Sequence, residues 1–381
     1  MPHTRIAQGL TAALLLSAAA SSQAHHGFGL FQMDLNAEWS GTLTKMELVN
    51  PHSYMYFDTV GANGETVSMR CEMRAATLIR RMGWSTDMFV VGARVELKGH
   101  PHRDDPTACY IEEFTLDDGP TVNRNQMLSS AEPVDTSNRP LRLESGEPNI
   151  SGDWAVEQAI LTIPPSGGNG SLVPVSYQEA FAKGEITIEE IRAANPAVQA
   201  RAVYTDAGRA AADAFRTWSV EDNPRLSCQP TSILFDWTFD WPVNRITQRT
   251  TAAGARVIDI DYGLFSFSRR IHMDWDSHPA NIVPSHTGHS IGHWEGDTLV
   301  VDTVAFTEGV LSPPTRNSDQ LHVVERFTLD TENFTLRREY VATDPVYLAE
   351  PYQGADVVLL SSVPYEKHPC IELTPEFDNN Q

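Results

Sequence analysis

Two groups of histidines in this sequence have residue types and spacings that could do chemistry. The first consists of His25, His26 and His52. Cleavage after Ala24 would leave His25 with a free α-amine and an imidazole, which can bind one ion together, and nitrogen ligands favour copper, with zinc second. His52 would supply a third nitrogen if the new chain start folds back. The pattern predicts a metal site at these three histidines, unless the first two are a solvated terminus and His52 caps a turn.

The second group lies near residues 272–306, which carry five histidines. A neutral histidine beside a carboxylate can act as a general base, because its pKa is near neutral. We predict this role for His289, Asp302 and His322, with His286 as a further member, at a polar pocket of the larger domain. Asp302 is expected to share the interior with Glu325. Hydrogen-bonded histidines with only a structural role are the alternative.

A hairpin organises this second group. Glu295-Gly296-Asp297 is a turn sequence in which Gly296 can adopt positive φ, and alternating strands flank it. His289 and His293 would then share a strand face about 13 Å apart, too far to bind one metal ion. The run from Gly288 to Gly292 contains a GxSxG-like pattern, but a serine-hydrolase elbow requires a strand followed by a helix.

The chain start predicts export. Arg5 precedes a short apolar core, and Ser22-Gln23-Ala24 offers a cleavage site with small residues, so residues 1–24 read as a signal peptide. The apolar run is too short to span a bilayer. We therefore expect a periplasmic or secreted protein with no integral membrane segment after cleavage. The net charge of −22 would repel nucleic acid and anionic membranes.

Four cysteines in an exported chain predict disulfide bonds. Three pairings are open. We favour Cys71 with Cys109 and Cys228 with Cys370, because each pair would stay within one domain. Free buried thiols are the alternative.

The sequence pattern predicts a mainly β protein with two domains. Short alternating segments and one short helix over residues 25–120 suit a small OB-like barrel, with a small sandwich as the alternative. Residues 121–149 lack periodicity and read as a linker. Residues 150–381 predict a larger antiparallel β-barrel or sandwich, with helices near 176–218. The alternating aromatic segment 235–241 reads as a strand whose rings form either core or a ligand pocket around Trp237 and Trp241.

The first part of the chain resembles a family of secreted bacterial proteins with a domain of unknown function. The resemblance covers residues 24–120 and is carried by four motifs: Ala24-His25-His26, Asn50-Pro51-His52, Arg81-Met82-Gly83-Trp84 and the strand 92–101 ending in Gly99-His100-Pro101. Met82 and Leu97 depart from the family pattern. Segments 288–303 and 321–327 are similar to a β-rich domain of related proteins, in which arginine is more usual at position 293. The resemblance implies export and two β-rich parts, and no activity.

Three functions remain open from the sequence. The first is an exported metal-binding protein, with copper at His25, His26 and His52 and a polar pocket in the larger domain. The second is a periplasmic enzyme that uses His289, Asp302 and His322 for acid–base chemistry on a small molecule or glycan. The third is a noncatalytic barrel that binds an apolar ligand or a protein partner.

Overall fold

The computed structural model describes residues 30–50, 52–128, 134–162, 171–195, 197–217, 219, 221–265 and 267–367. The chain is mainly β, as predicted, and forms a small barrel followed by a larger one. The predicted signal peptide, residues 1–24, lies outside the described residues, as do His25 and His26.

The small barrel is built from five strands, with a short sixth strand at one edge. These are β1 (Ala37–Glu47), β2 (Tyr54–Val60), β3 (Thr66–Glu72), β4 (Arg94–Pro101), β5 (Ala108–Leu116) and β6 (Val122–Asn123). The order is β3-β2-β1-β4-β5-β6, and a parallel β3–β5 pairing closes it. Helix α1 (Ala76–Arg81) lies between β3 and β4. This five-stranded closure with one helix is the predicted OB-like barrel.

A disulfide bond joins the two strands that close the small barrel. Cys71 of β3 and Cys109 of β5 are direct partners in the parallel pairing, with their Cα atoms 4.4 Å apart. Both side chains are buried among the apolar core residues. The predicted Cys71–Cys109 pairing is confirmed. Cys228 is also disulfide-bonded, and its predicted partner, Cys370, lies outside the described residues.

The larger barrel is closed by nine strands in the order β10-β11-β12-β13-β14-β17-β18-β19-β7. In chain order, its strands and two accessory hairpins are β7 (Gly152–Ala155), β8 (Ala159–Thr162), β9 (Ser171–Pro174), β10 (Val243–Thr250), β11 (Arg256–Asp261), β12 (Ser268–His272), β13 (His289–Glu295), β14 (Thr298–Val304), β15 (Gly309–Ser312), β16 (Thr315–Asn317), β17 (His322–Asp330), β18 (Thr335–Thr343) and β19 (Tyr352–Leu360). Strands β8 and β9 pair with each other, as do β15 and β16.

Three short helices occupy the predicted helical region. They are α2 (Gln178–Ala182), α3 (Ile188–Ala194) and α4 (Asp206–Asp213). Thr187 caps α3 in a reciprocal capping box with Glu190, and the Thr205 hydroxyl accepts from the Gly208 N–H at the start of α4. None of the described helices is long and apolar enough to cross a membrane.

One strand pair in the larger barrel is parallel. Ile271 and His272 of β12 pair with Ser290 and Ile291 of β13 in the same direction. Parallel neighbours require a crossover connection, and residues 273–288 provide it. The hairpin that follows is the one predicted, because β13 and β14 are antiparallel and Gly296 has φ +61° at the turn.

The interior of the larger barrel combines aromatic rings with buried ions. The Glu325 carboxylate accepts from the guanidinium groups of Arg269, at 2.5 Å, and Arg338, at 3.2 Å. Arg338 also donates to Asp356 at 2.6 Å. The Arg338 guanidinium lies 5.3 Å from the Trp237 ring centroid. Four charges are therefore paired inside the barrel.

The aromatic segment 235–241 is not the predicted strand. Asp236 and Phe239 donate backbone bonds to the carbonyls four residues earlier, so the segment forms successive turns. Trp237 is fully buried and packs edge-to-face on Tyr262 and Phe327. Trp241 is only half-buried and packs against the core of the small barrel, whereas Trp237 belongs to the core of the larger one. The interpretation of Trp237 as core is confirmed.

Polar contacts join the two barrels at the end where α1 lies. The Arg81 guanidinium donates to the carbonyls of Trp241, at 3.0 Å, and Val156, at 2.6 Å. Burial lowers the pKa of Arg81 to about 10. Asn50 donates to the Gly263 carbonyl at 3.4 Å and to Thr77. These bonds fix α1 against the larger barrel.

The buried ions should dominate the response of the fold to substitution. Glu325→Ala would leave Arg269 and Arg338 without their shared carboxylate, at an expected cost of about 3–5 kcal/mol in the free energy of unfolding. Glu339→Ala, which removes an exposed pair with Arg337 on the same sheet, is the control, expected to cost less than about 1 kcal/mol. Denaturant unfolding of both variants tests this, and equal losses would contradict it.

Candidate acid–base site on the larger barrel

The strand register places the three predicted catalytic residues on one outer face of the larger barrel. Asp302 of β14 stands opposite Ile291 of β13 and Val324 of β17. His289 lies two residues before Ile291, and His322 two residues before Val324. Because side chains alternate along a strand, His289, Asp302 and His322 point to the same side. All three are partly exposed.

The crossover 273–288 brings a third histidine to this face. His278 Nε2 lies 2.9 Å from Asp302 Oδ1, and its Nδ1 lies 2.8 Å from His289 Nδ1. His322 Nε2 lies 3.1 Å from Asp302 Oδ2. One carboxylate therefore holds two imidazoles, and a third imidazole extends the chain. We refer to His278, His289, Asp302 and His322 as the histidine cluster.

Stacked rings support the far end of the histidine cluster. His272 and Trp275 stack with centroids 4.4 Å apart, and His289 lies 5.1 Å from His272 and 5.2 Å from Trp275. Trp275 is 41% exposed, so part of its ring faces solvent beside His289. The crossover enters β13 through Gly288, whose φ is +67° and whose added Cβ would lie 2.8 Å from Thr303 Cγ2. Glycine at 288 thus allows the loop to approach β14.

The contacts determine which nitrogens carry protons. An ionised Asp302 accepts from both neighbours, so each donates through Nε2–H. A neutral His278 then has a lone pair at Nδ1, which accepts the Nδ1–H of His289. The lone pair of His289 is left at Nε2, and that of His322 at Nδ1. The cluster therefore offers two base nitrogens organised by one carboxylate.

The surroundings shift the pKa values of His289 and Asp302 so that His289 can act as a base. Burial lowers the pKa of His289, and the neighbouring imidazoles His272 and His278 lower it further, because a second positive charge there is unfavourable. Burial would raise the pKa of Asp302, but hydrogen bonds from His278 and His322 outweigh it and hold the pKa below its usual value. At neutral pH the carboxylate is ionised and His289 is neutral.

Two residues expected with the cluster lie on the other side of the barrel wall. Glu325 pairs with Val301 rather than Asp302, so it faces the interior. The expectation that Asp302 and Glu325 share one interior is therefore wrong, since odd and even positions of these strands face opposite sides. Ser290 is also buried, with its Oγ 2.9 Å from Thr303 Oγ1. Within the described part of the chain its hydroxyl has no hydrogen bond to a histidine, so the GxSxG-like run does not present a nucleophile there.

Two further histidines of the region do not join the cluster. His293 is exposed and contacts Glu295 at 3.3 Å. His286 packs edge-to-face on Phe267, with centroids 5.9 Å apart. Burial lowers the pKa of His286. Of the residues expected at the pocket, His289, Asp302 and His322 therefore lie together on the outer face beneath the crossover, and His286 does not join them.

The predicted metal ligands are described only in part. His52 Nδ1 contacts the Glu72 carboxylate. Burial lowers the pKa of His52, but the charge of Glu72 and its hydrogen bond outweigh burial, so the pKa is raised overall. His25 and His26 lie outside the described residues. Across the described ranges, no three His, Cys, Asp or Glu side chains are arranged to hold a metal ion.

The pKa of His289 is a direct test of this geometry. His278→Gln removes one neighbouring imidazole, so we expect the pKa of His289 to move up towards its usual value. NMR titration of the His289 Cε1–H resonance measures it. His293→Gln removes a histidine from the same face without touching the cluster and should leave the titration unchanged. Equal shifts in both variants would show that His278 does not act on His289.

Comparison with known proteins bears on the small barrel alone. Residues 12–110 match the model of a family of unknown function, DUF6152. No curated protein matches the chain. The match includes His52 and the Cys71–Cys109 disulfide, whereas the histidine cluster lies outside it. The small barrel is therefore similar to a family with no stated activity.

Proposed function

We propose that the larger barrel is an enzyme that transfers protons to and from a small polar molecule at the histidine cluster. This proposal rests on one observation: Asp302 is hydrogen-bonded to two imidazoles and so holds His278 and His322 through their Nε2 atoms. A carboxylate in this position orients an imidazole and stabilises it once protonated. The arrangement is that of a base and an acid rather than of isolated surface histidines.

The cluster assigns distinct roles to its members. His289 takes a proton from the substrate at Nε2, and its Nδ1–H is held by His278. His322 starts the cycle as an imidazolium, protonated at Nδ1 by solvent, and gives that proton to the leaving group, while the proton taken up by His289 passes on to solvent. Asp302 is hydrogen-bonded to His278 through one oxygen and to His322 through the other, and balances the positive charge that develops. Proton transfer of this kind contributes roughly 10²–10⁴-fold to a rate.

The exposed part of Trp275 suggests the substrate class. An aromatic surface beside a base offers an apolar contact to one face of a sugar or other ring. The histidine cluster supplies hydrogen bonds to hydroxyl groups. We therefore favour a glycan or a small hydroxylated ring as the ligand, in the periplasm or outside the cell.

Replacing the Asp302 carboxylate should strongly reduce turnover. Asp302→Asn keeps the shape but has one amide oxygen and one NH2 group, so it accepts from only one of the two Nε2–H groups and donates to the other ring, whose tautomer is reversed. We expect turnover to fall by roughly 10²-fold or more. The assay is a panel of 4-nitrophenyl esters and 4-nitrophenyl glycosides. Turnover should also fall as pH drops through the lowered pKa of His289, since protonation removes the base.

The matched control for this experiment is His293→Gln, which should retain wild-type turnover. The double variant His289→Gln with His322→Gln sets the background. If the wild-type protein does not exceed that background with any substrate of the panel, the enzyme proposal is wrong. Activity that survives Asp302→Asn would remove Asp302 from the mechanism.

A copper site at His25, His26 and His52 is a second proposal, which the His52–Glu72 contact favours. Metal-binding histidines commonly donate one ring N–H to a carboxylate, which orients the other nitrogen towards the metal. With Nδ1 held by Glu72, Nε2 of His52 would be the ligand. Zinc is the alternative ion for the same nitrogen set.

The copper proposal predicts one ion per correctly processed chain. His52→Ala should lower the copper content, because it removes the ligand that the barrel fixes, and Glu72→Gln should weaken binding by roughly 10–100-fold. His102→Ala, at a turn of the same barrel, is the control. Metal analysis and copper titration of protein beginning at His25 measure this. Unchanged stoichiometry in His52→Ala would exclude the site.

A further inference from the structure

A cavity of about 300 Å³ opens where the two barrels meet. Its walls come from α1 and the 125–127 segment of the small barrel, and from the β8–β9 hairpin and Trp241 of the larger domain. The volume corresponds to about ten water molecules at roughly 30 Å³ each. It therefore suits a ligand of about ten non-hydrogen atoms, at the lower end of ordinary ligand sites.

Most of the cavity wall is apolar. The small barrel contributes Leu78 and Met82, which are part of its core, and the larger domain contributes Ile160, Leu172 and Trp241. Leu172 is 58% exposed, so part of its apolar side chain is open to a ligand. An aliphatic or aromatic ligand body would cover this surface.

The Arg74 side chain supplies a positive charge at the wall of the same cavity. Arg74 donates to Asn125 Oδ1 at 2.6 Å, and its guanidinium lies 5.7 Å from the Trp241 ring centroid. Its Nη2 also forms an ion pair with Asp240, with 3.6 Å to Oδ1, which is beyond hydrogen-bond distance. A guanidinium has five N–H donors in a planar fork, so Arg74 retains donors for a carboxylate while Asn125 and Trp241 hold its position.

A second donor in the cavity wall lacks a partner. Gln158 is only 7% exposed, and its Nε2 has no hydrogen-bond acceptor within the described part of the chain. Buried amide donors are almost always paired, so this one calls for an acceptor beyond the described residues. Gln158 lines the cavity together with Arg74, but its Nε2 atom is itself closed off from solvent. The apolar wall and the Arg74 guanidinium therefore define one amphipathic site.

We propose that this cavity binds a small amphipathic carboxylate, with its apolar body against Leu78, Ile160 and Trp241 and its head group at Arg74. The site is separate from the histidine cluster and does not depend on its chemistry. Because both barrels line the cavity, the bound ligand would also join them. Ligand binding to the folded state alone raises the unfolding temperature with ligand concentration.

Octanoate, which has ten non-hydrogen atoms, is the probe, with octanol and octylamine as comparisons. We expect saturable one-to-one binding of octanoate with Kd below about 1 mM, weaker binding of octanol, and weakest binding of octylamine. Calorimetry gives the affinity and stoichiometry. In wild-type protein, the indole N–H resonance of Trp241, assigned with Trp241→Phe, should shift in step with octanoate occupancy.

Variants separate the cavity from adventitious apolar binding. Ala159→Phe fills the cavity and should weaken octanoate at least about 10-fold, and Arg74→Gln should remove the preference for octanoate over octanol. Arg94→Gln, on an exposed arginine that pairs with Glu96, is the control and should bind as wild type. No saturable binding by wild type, or equal preference in wild type and Arg74→Gln, would overturn the proposal. The Trp241 signal in wild-type protein decides the matter even if Ala159→Phe does not fold.

Discussion

The histidine cluster depends on the parallel pairing of β12 and β13. Two adjacent parallel strands cannot be joined by a tight turn, so the chain must return along the barrel before it enters β13. Residues 273–288 make that return over the outer face and carry Trp275 and His278 with them. An antiparallel partner would have needed only a short hairpin. The crossover therefore creates the site, because without it Asp302 and His322 would lie on an open strand surface.

Because side chains alternate along a strand, the same strands carry the histidine cluster on the outer face of the barrel and the buried ions on the inner face. On β17, His322 points outward to Asp302, whereas Glu325 points inward to two arginines. On β14, Asp302 faces out and Thr303 faces in. Buried ion pairs are costly to disrupt, so the inner charges resist any change of register. A shift of one residue would exchange the two faces and remove the histidine cluster and the buried ions together.

Sequence alone could specify the parts of the site that a local turn determines. Gly296 fixes the β13–β14 register, which places His289 and Asp302 on one face. His322 belongs to a strand separated from β14 by the β15–β16 hairpin, so its pairing depends on barrel closure. The error over Glu325 has the same origin, because its parity relative to Asp302 follows from that long-range register.

His278 and Trp275 could not be placed from the sequence, because a sixteen-residue crossover has no periodicity. The only sign in the sequence was that these residues lie near several histidines along the chain. That sign applies to His286 as much as to His278. The Cys71–Cys109 pair was predictable for the opposite reason. Both cysteines lie on clear strands of one small barrel, whose closure brings β3 and β5 together. Long-range geometry could be predicted where the fold class determines it, and not where a loop does.

The two histidine environments show how the surroundings give one residue type different chemistry. Burial and the neighbouring imidazoles lower the pKa of His289, so its lone pair is available at neutral pH. At His52 a carboxylate outweighs burial and raises the pKa, so the proton is retained to higher pH. A metal ion at His52 would have to displace that proton, and metal affinity there should therefore rise with pH. His289 needs no such step, because its Nε2 lone pair is already available at neutral pH for proton transfer.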